Sequence, residues 1–228
     1  RRPPRSTLFP YTTRFRADET RFGLLAVDRL ERQSGRDDMS TAYELKGWYG
    51  RDYDRLWFKG EGEIDRGRFQ TARTELLWGH AIAPFWDMQL GARHDNGEGR
   101  PDRTWIALGV EGIAPYWFDI EPTLYLGENG RTRARLEAQY DLLLTQKLIL
   151  RPRLEANLSG KRDEAWQLGS GLTDLEVGLR LRYEIRREFA PYIGVDWAGK
   201  FGGTADLARA AGERTRDTRL VAGVKFWF

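Results

Sequence analysis

From about Thr20 onward, apolar and polar residues alternate with a period of two, in one segment after another. In RLWFKGEGEI (55–64), Leu56, Phe58, Gly60, Gly62 and Ile64 alternate with Trp57, Lys59, Glu61 and Glu63. In TRARLEAQYDL (132–142), Ala134, Leu136, Ala138, Tyr140 and Leu142 oppose Arg133, Arg135, Glu137, Gln139 and Asp141. LILRPRLEANL (148–158) and DLEVGLRLRYEI (174–185) repeat the scheme, with Arg151, Arg153, Glu155, Glu176, Arg180, Arg182 and Glu184 on the charged face. Successive side chains of a strand point to opposite faces, so each segment reads as a strand with one apolar and one ionic face. No amphipathic helical stretch competes. Strands are expected to begin near residues 20, 40, 55, 69, 86, 103, 118, 132, 148, 174, 189 and 217. The count of twelve is even, and each segment has the length of a tilted membrane strand.

The final segment, TRLVAGVKFWF (218–228), sharpens the choice between a sandwich and a lipid-embedded barrel. Termini commonly trail into polar residues. Here Thr218, Leu220, Ala222, Val224, Phe226 and Phe228 form one uncharged face and the sequence stops on Phe228. In a barrel the last strand must close against the first. Phe226 and Phe228 resemble the terminal signal read by the outer-membrane barrel-assembly machinery.

The expected connections also alternate. GRDYD, APF, APYW, LTQ and REF are short, whereas ERQSGRDD, DRGR, HDNGEGRP, GENGR, SGKRDEAWQLGSG and AGKFGGTADLARAAGERTR are mostly longer and more polar. Short turns at one rim and long loops at the other fit an outer-membrane barrel with both termini in the periplasm. Trp48, Tyr49, Tyr53, Trp57, Phe58, Trp78, Phe85, Trp86, Tyr116, Trp117, Phe118, Phe189 and Tyr192 gather near the short-turn rim and read as an interfacial girdle. Pro84, Pro115 and Pro191 share that rim, where a lost ladder hydrogen bond costs least; Pro152, in mid-strand, does not fit. The fold expected is therefore all-β: one antiparallel transmembrane barrel over residues 18–228. Residues 1–17 (RRPPRSTLFPYTTRFRA) differ in composition and read as a non-native, disordered segment without a secretory signal.

Composition changes this picture little. Charged residues are 31% of the 228, mean hydropathy is −0.63, and no run approaches the roughly 18 apolar residues of a membrane helix. A barrel tolerates this, because only alternate residues meet lipid. The net charge of +3 is spread along the chain, with no basic stripe for nucleic acid.

The charged faces would line the lumen. The expected register places Arg135 opposite Glu155, Glu137 opposite Arg153, Arg180 opposite Asp196 and Glu184 opposite Tyr192; the first three are opposed charges, each pair contributing about 0.2–1 kcal/mol. Such pairs fill and stiffen a barrel; the alternative is an ion channel, but alternating signs cancel the field a selective pore needs. Soft or borderline metal donors are few: no Cys, two His and two Met. Around the turn at Pro84, His80 falls opposite Met88, a pair able to bind copper. His94 and Asp95 sit at the opposite rim, expected in a polar loop, and Met39 lies beside the first long loop. Ser34, Ser40, Ser159 and Ser170 are remote in sequence from either His, and no G-x-S-x-G, Walker or zincin pattern occurs, so the chain reads as non-enzymatic.

From residue 19 to the end the sequence resembles the copper resistance protein B family. The carrying segments are WYGRDYDRLWFKGEGE (48–63), HAIAPFWDMQLGARHD (80–95), GVEGIAPYWFDIEPTLYLGENGRTRARLEAQYDLLLTQKLILRPRLE (109–155), GSGLTDLEVGLRLRYEIRREFAPYIGV (169–195) and KFGGTADLARAAGE (200–213). The resemblance implies a barrel in the outer membrane of a Gram-negative bacterium, in contact with lipid and periplasmic copper-resistance proteins, with a role in copper homeostasis and copper ion as the bound species. Family members commonly carry a Met- and His-rich segment before the barrel; nothing comparable precedes Glu19 in this sequence. A general structural barrel or narrow porin without a metal role is the competing expectation.

Overall fold

Every strand finds two antiparallel neighbours, and the last pairs with the first. The computed structural model describes residues 21–36, 39–65 and 67–228; the segment 1–17 lies outside the described residues. The strands are β1 (Phe22–Ser34), β2 (Met39–Gly50), β3 (Asp54–Asp65), β4 (Arg68–Ala83), β5 (Trp86–Gly97) and β6 (Arg100–Ala114). They continue as β7 (Phe118–Gly127), β8 (Thr132–Tyr140), β9 (Leu148–Ser159), β10 (Gly171–Tyr183), β11 (Phe189–Lys200) and β12 (Arg216–Trp227). Leu142–Leu143 extends β8 past a break at Asp141. The result is a closed barrel of twelve antiparallel strands, as the alternation predicts. Closure runs to the final residue: the Phe228 amide donates to Leu25 O at 2.9 Å and the Leu25 amide donates to Phe228 O at 3.3 Å.

The alternation separates two environments. Leu76, Ile106, Leu108, Leu124, Ile193 and Leu220 project outward and are exposed, while Glu75, Arg93, Glu137 and Arg153 point inward and are buried. This inverts a soluble protein, in which apolar faces are covered and charges wetted. A continuous apolar exterior is stable only against another apolar medium.

Several local expectations are corrected. The two-residue turn at 98–99 joins β5 to β6, so most of HDNGEGRP is strand. Loop asymmetry is instead carried by two excursions, residues 160–170 and 201–215. The second contains the one α-helix among the described residues, α1 (Gly202–Ala210), which the period-two reading missed. Thr204, Ala205 and Ala208 bury its inner face, and the Gly169 amide donates to Thr204 Oγ1 at 2.8 Å. The helix is one small-residue stripe pressed on a neighbouring loop, too short to show a repeating pattern. Within the expected girdle, Trp48, Trp57 and Tyr192 lie on the inward face; Tyr49, Tyr53, Phe58, Trp78, Phe85, Tyr116, Trp117, Phe118 and Phe189 are exposed. Phe85, Tyr116 and Trp117 hold positive φ in their turns, a conformation that disfavours side chains of this size.

The registers also differ by two residues from those expected. Arg135 faces Asn157 and Glu137 faces Glu155 across β8–β9; Arg180 faces Gly194 and Asp196 faces Gly178 across β10–β11. The β8–β9 turn is longer than the LTQ reading allowed, with the Thr145 hydroxyl accepting from the Lys147 and Leu148 amides. Ion pairs survive this slip because long side chains reach diagonal neighbours on a twisted sheet. Pro152 is now accounted for. It keeps its place opposite Leu179, but the β8 ladder stops at Gln139↔Arg153 and resumes at Leu142↔Leu150. The missing amide falls at that gap, which the Arg151–Asp141 ion pair spans at 2.5 and 2.7 Å.

If the outward face meets hydrocarbon, Leu108→Arg in mid-β6 should destabilise the barrel by about 2–4 kcal/mol in lipid vesicles. Denaturant titration of the vesicle-folded protein checks this; unchanged stability would show that the face is not lipid-exposed.

Candidate functional site

The lumen is filled in layers, and the layers are built from opposite walls. At the short-turn mouth the Trp48 and Trp57 rings lie 6.4 Å apart, with the Arg55 guanidinium 4.9 Å from the Trp48 ring. Trp57 packs against a buried apolar patch of Leu77, Trp105, Ala107 and Tyr125. Deeper in, Lys59 Nζ from β3 donates to Gln89 Oε1 (2.9 Å), Glu111 Oε2 (3.0 Å) and Glu121 Oε1 (2.7 Å). Lys46 from β2 reaches Glu121 on β7 at 3.2 Å. The next layer holds Arg135, Arg153, Glu137 and Glu155. Arg135 donates to Glu155 at 2.9 Å twice and crosses to Glu61 on β3 at 3.0 Å. Arg153 binds Glu137 and Glu155, both at 2.9 Å, and stands 3.8 Å from Glu44 on β2. A third knot joins Arg180 to Glu31 on β1 at 3.0 and 3.1 Å, and Tyr192 donates to the same Glu31 at 3.0 Å. Arg180 also binds Asp196 at 2.5 Å, across the space left by Gly178, where a Cβ would collide with both partners.

These contacts bridge the bore. Between Lys46, Lys59, Glu61, Glu121 and Arg135 there remains a cavity of about 10 Å³, the room for one water. Toward the long-loop rim the lumen widens into a vestibule of about 890 Å³. Arg93, Arg133 and Arg73 converge there on Asp95: Arg93 at 2.6 and 2.9 Å, Arg133 at 3.2 Å and Arg73 at 4.0 Å. Trp105 Nε1 donates to the same carboxylate at 3.0 Å. Loop 160–170 folds over this wall. Trp166 Nε1 donates to Pro101 O at 2.9 Å, and Arg100 and Arg133 lie 5.4 and 5.7 Å from its ring. Asp163 anchors the loop to Arg103 (3.2 Å) and Arg131 (3.5 Å). Burial pushes the Asp163 carboxyl up, but the Arg103 hydrogen bond and the charges of Arg103 and Arg131 outweigh it and hold the group below its usual value.

Arg133, Arg135, Glu137, Arg151, Arg153, Glu155, Arg180 and Asp196 form the contacts just described, Arg182 binds Asp141 and Glu184 at 3.2 Å, and Glu176 faces the vestibule opposite Glu155. Glu184 does not reach Tyr192, which instead faces Arg182. Phe226 and Phe228 stack edge-on outside the closing strand, ring centroids 5.7 Å apart. The four donors grouped as metal candidates are not one site. His80 and Met88 are cross-strand partners on the outward face near the short-turn rim. His94 and Asp95 lie within β5, not in a loop, and on opposite faces: His94 points outward against Thr104 (3.0 Å), while Asp95 is the buried lumen carboxylate. Among the described residues no group of three His, Cys, Asp or Glu is arranged to hold a metal ion. Sequence reasoning passed over Glu31, Lys46, Glu111 and Glu121 as lumen ligands. Their alternation with apolar neighbours carried the signal, but their partners lie across the bore, up to 161 residues away.

Breaking one buried pair should be severe. Glu137→Ala leaves Arg153 without one of its two carboxylates at 2.9 Å and should cost about 3–5 kcal/mol, whereas adding Arg153→Met should restore part of the loss. Denaturant titration in detergent measures both; a neutral Glu137→Ala would remove the bracing role. For Asp163 the folded pKa lies below the unfolded one, so its anchoring is present above the unfolded value and lost as pH falls through the folded one. The protection of residues 160–170 against hydrogen exchange, corrected for the intrinsic pH dependence of amide exchange, should be unchanged from neutral pH to about pH 4 and fall below it. Loosening near neutrality would contradict the clamp.

The geometry agrees with comparison to known proteins. Residues 21–228 match the family described as Copper resistance protein B precursor (CopB). The chain is 48% identical over 202 residues to a Copper resistance protein B homolog of Pseudomonas syringae pv. tomato, covering 89% of this chain and 68% of that protein. It is 45% identical over 207 residues to Copper resistance protein B of Escherichia coli, covering 90% and 69%. Among solved structures, the NanC porin superposes with a TM-score of 0.58 at 13% identity, over 89% of this chain and 98% of the porin. The KdgM porin gives 0.54 at 12% identity, over 89% and 99%. At such identity these porins speak for the fold alone. The sequence matches, which run through all twelve strands, place this chain in the copper resistance protein B family.

Proposed function

We propose that this protein is an outer-membrane barrel of a Gram-negative copper-resistance system, that it binds or hands on copper at that membrane, and that it catalyses no reaction. The observation that carries the reading is the extent of the family match: residues 21–228 are the barrel itself. The outward apolar face fits outer-membrane lipid, and the closing strand with Phe226 and Phe228 offers what the barrel-assembly machinery would read. Periplasmic copper-resistance proteins are the partners such a system implies. A narrow porin without a metal role is the second reading, favoured by the vestibule of about 890 Å³. The bridging of Lys46 and Lys59 to Glu121 weighs against it, because fixed, mutually neutralised charges occupy the path an ion would take.

Two measurements separate the readings. Restoring the gene to a deletion strain should restore copper tolerance; tolerance unaffected by deletion or restoration would remove the copper role. In planar bilayers the purified barrel should conduct poorly, and Lys59→Ala combined with Glu121→Ala should raise conductance. A large, steady, copper-indifferent conductance in the unaltered protein would favour the porin.

A further inference from the structure

The sequence has two histidines and two methionines, and one of each is brought together as neighbours on adjacent strands. Asp54, His80 and Met88 form a row across the outside of the barrel: Asp54 pairs with His80 between β3 and β4, and His80 with Met88 between β4 and β5. Directly opposed residues on one face hold their Cβ atoms about 4.5–5.5 Å apart, so an imidazole and a thioether share one small area. The imidazole is oriented. His80 Nδ1 lies 2.9 Å from Asp54 Oδ1, and Trp78 Nε1 donates to the same oxygen at 3.1 Å. A proton on Nδ1, held by a carboxylate, leaves the Nε2 lone pair available, which is the arrangement usual for metal-ligating histidines. The His80 side chain is 41% exposed, so Nε2 is within reach from outside the barrel. The Trp78 ring lies 5.6 Å from the imidazole and walls one side.

We infer that His80 and Met88 form a surface-exposed, two-donor copper site at the short-turn rim, with Asp54 as the positioning residue for the imidazole. A thioether beside an imidazole suits Cu(I) above harder ions. Two protein donors leave the coordination incomplete, so the ion stays open to a further ligand from a partner or solvent. This is an exchange site rather than a storage site. The inference rests on the copper role proposed above for its biological meaning, but the site itself is defined by these residues alone.

The test uses the full chain in detergent, with Cu(I) presented through competition against a chromogenic chelator and Cu(II) followed by quenching of tryptophan fluorescence. His80→Ala should abolish the bound Cu(I) equivalent and the Cu(II) quenching. Met88→Leu should weaken Cu(I) and leave Cu(II) unchanged, since only the soft ion depends on the sulfur. Asp54→Asn should weaken both by about 10–100-fold. Trp78→Phe should remove the quenched component without removing Cu(I). His94→Ala, altering the outward histidine elsewhere on the barrel, should change nothing. All five side chains lie on the outer face, and a heat-modifiable gel shift verifies that each variant is folded. Wild-type Cu(I) affinity in His80→Ala, or equal loss in His94→Ala, would overturn the site. Failure here is distinguishable from failure of the functional reading. If the restored gene confers tolerance while His80→Ala binds Cu(I) normally, the site is wrong and the function stands. If His80→Ala loses copper while the gene confers no tolerance, the site stands and the function is wrong.

Discussion

The barrel depends on charge neutralised across its own bore. Twelve strands with apolar exteriors must turn their alternate residues inward, and this sequence fills those positions with Lys, Arg, Asp and Glu. Removing such groups from water costs several kcal/mol per ion unless each meets a partner of opposite sign. Here partners come from the far wall: Lys46 and Lys59 on Glu121, Arg135 on Glu61, Arg180 on Glu31. A contact of this kind exists only after the sheet has closed. The ion pairs therefore report closure, which runs along the β12–β1 ladder as far as the Phe228–Leu25 hydrogen bonds. Ladder hydrogen bonds make the wall and strand number and stagger set its diameter; the cross-bore pairs tie opposite parts of the wall together and fill the bore at that level.

This explains what could be read in the sequence and what could not. Strand positions were legible because the face of each residue follows from its parity, and parity is local. Arg135, Glu137, Arg153 and Glu155 were recognisable as one charged cluster for the same reason. Their directly opposed residues were not, because a two-residue slip keeps parity while changing every directly opposed pair; the expected ion pairs Arg135–Glu155 and Glu137–Arg153 form diagonally instead. The slip follows from turn detail, in particular the Thr145 hydroxyl and the gap beside Pro152, which alternation does not record. The girdle was over-read for a related reason. Trp48 and Trp57 lie near a rim, as expected, but their parity is that of Lys46 and Lys59, so they cap the lumen. Parity should have outweighed proximity to the turn. Helix α1 was invisible to a period-two test, being about two and a half turns of helix packed through Thr204, Ala205 and Ala208 inside a loop.

The candidate metal donors show the same principle. His94 and Asp95 are adjacent in sequence, and adjacency in a strand separates them onto opposite faces. His80 and Met88 are eight positions apart, and the hairpin turn brings them side by side. Pairing across the turn, rather than nearness in the sequence, decides which donors can share an ion.

The distribution of donors bears on where copper can be handled. The lumen carries carboxylates, guanidiniums, ammoniums and amides, and the carboxylates that bridge it are already engaged by Arg or Lys. Hard, charge-compensated oxygen is a poor match for a soft ion. His80, Met88 and His94 all lie on the outward face, and Met39 is exposed at the start of β2. Nitrogen and sulfur thus surround the barrel while oxygen and positive charge occupy its interior. A copper ion drawn to the best available donors would bind at the rim of the wall rather than within the braced bore. On the copper role proposed above, such a barrel would serve as a rigid platform that presents copper ligands at a membrane surface, with its lumen spent on holding the platform in shape.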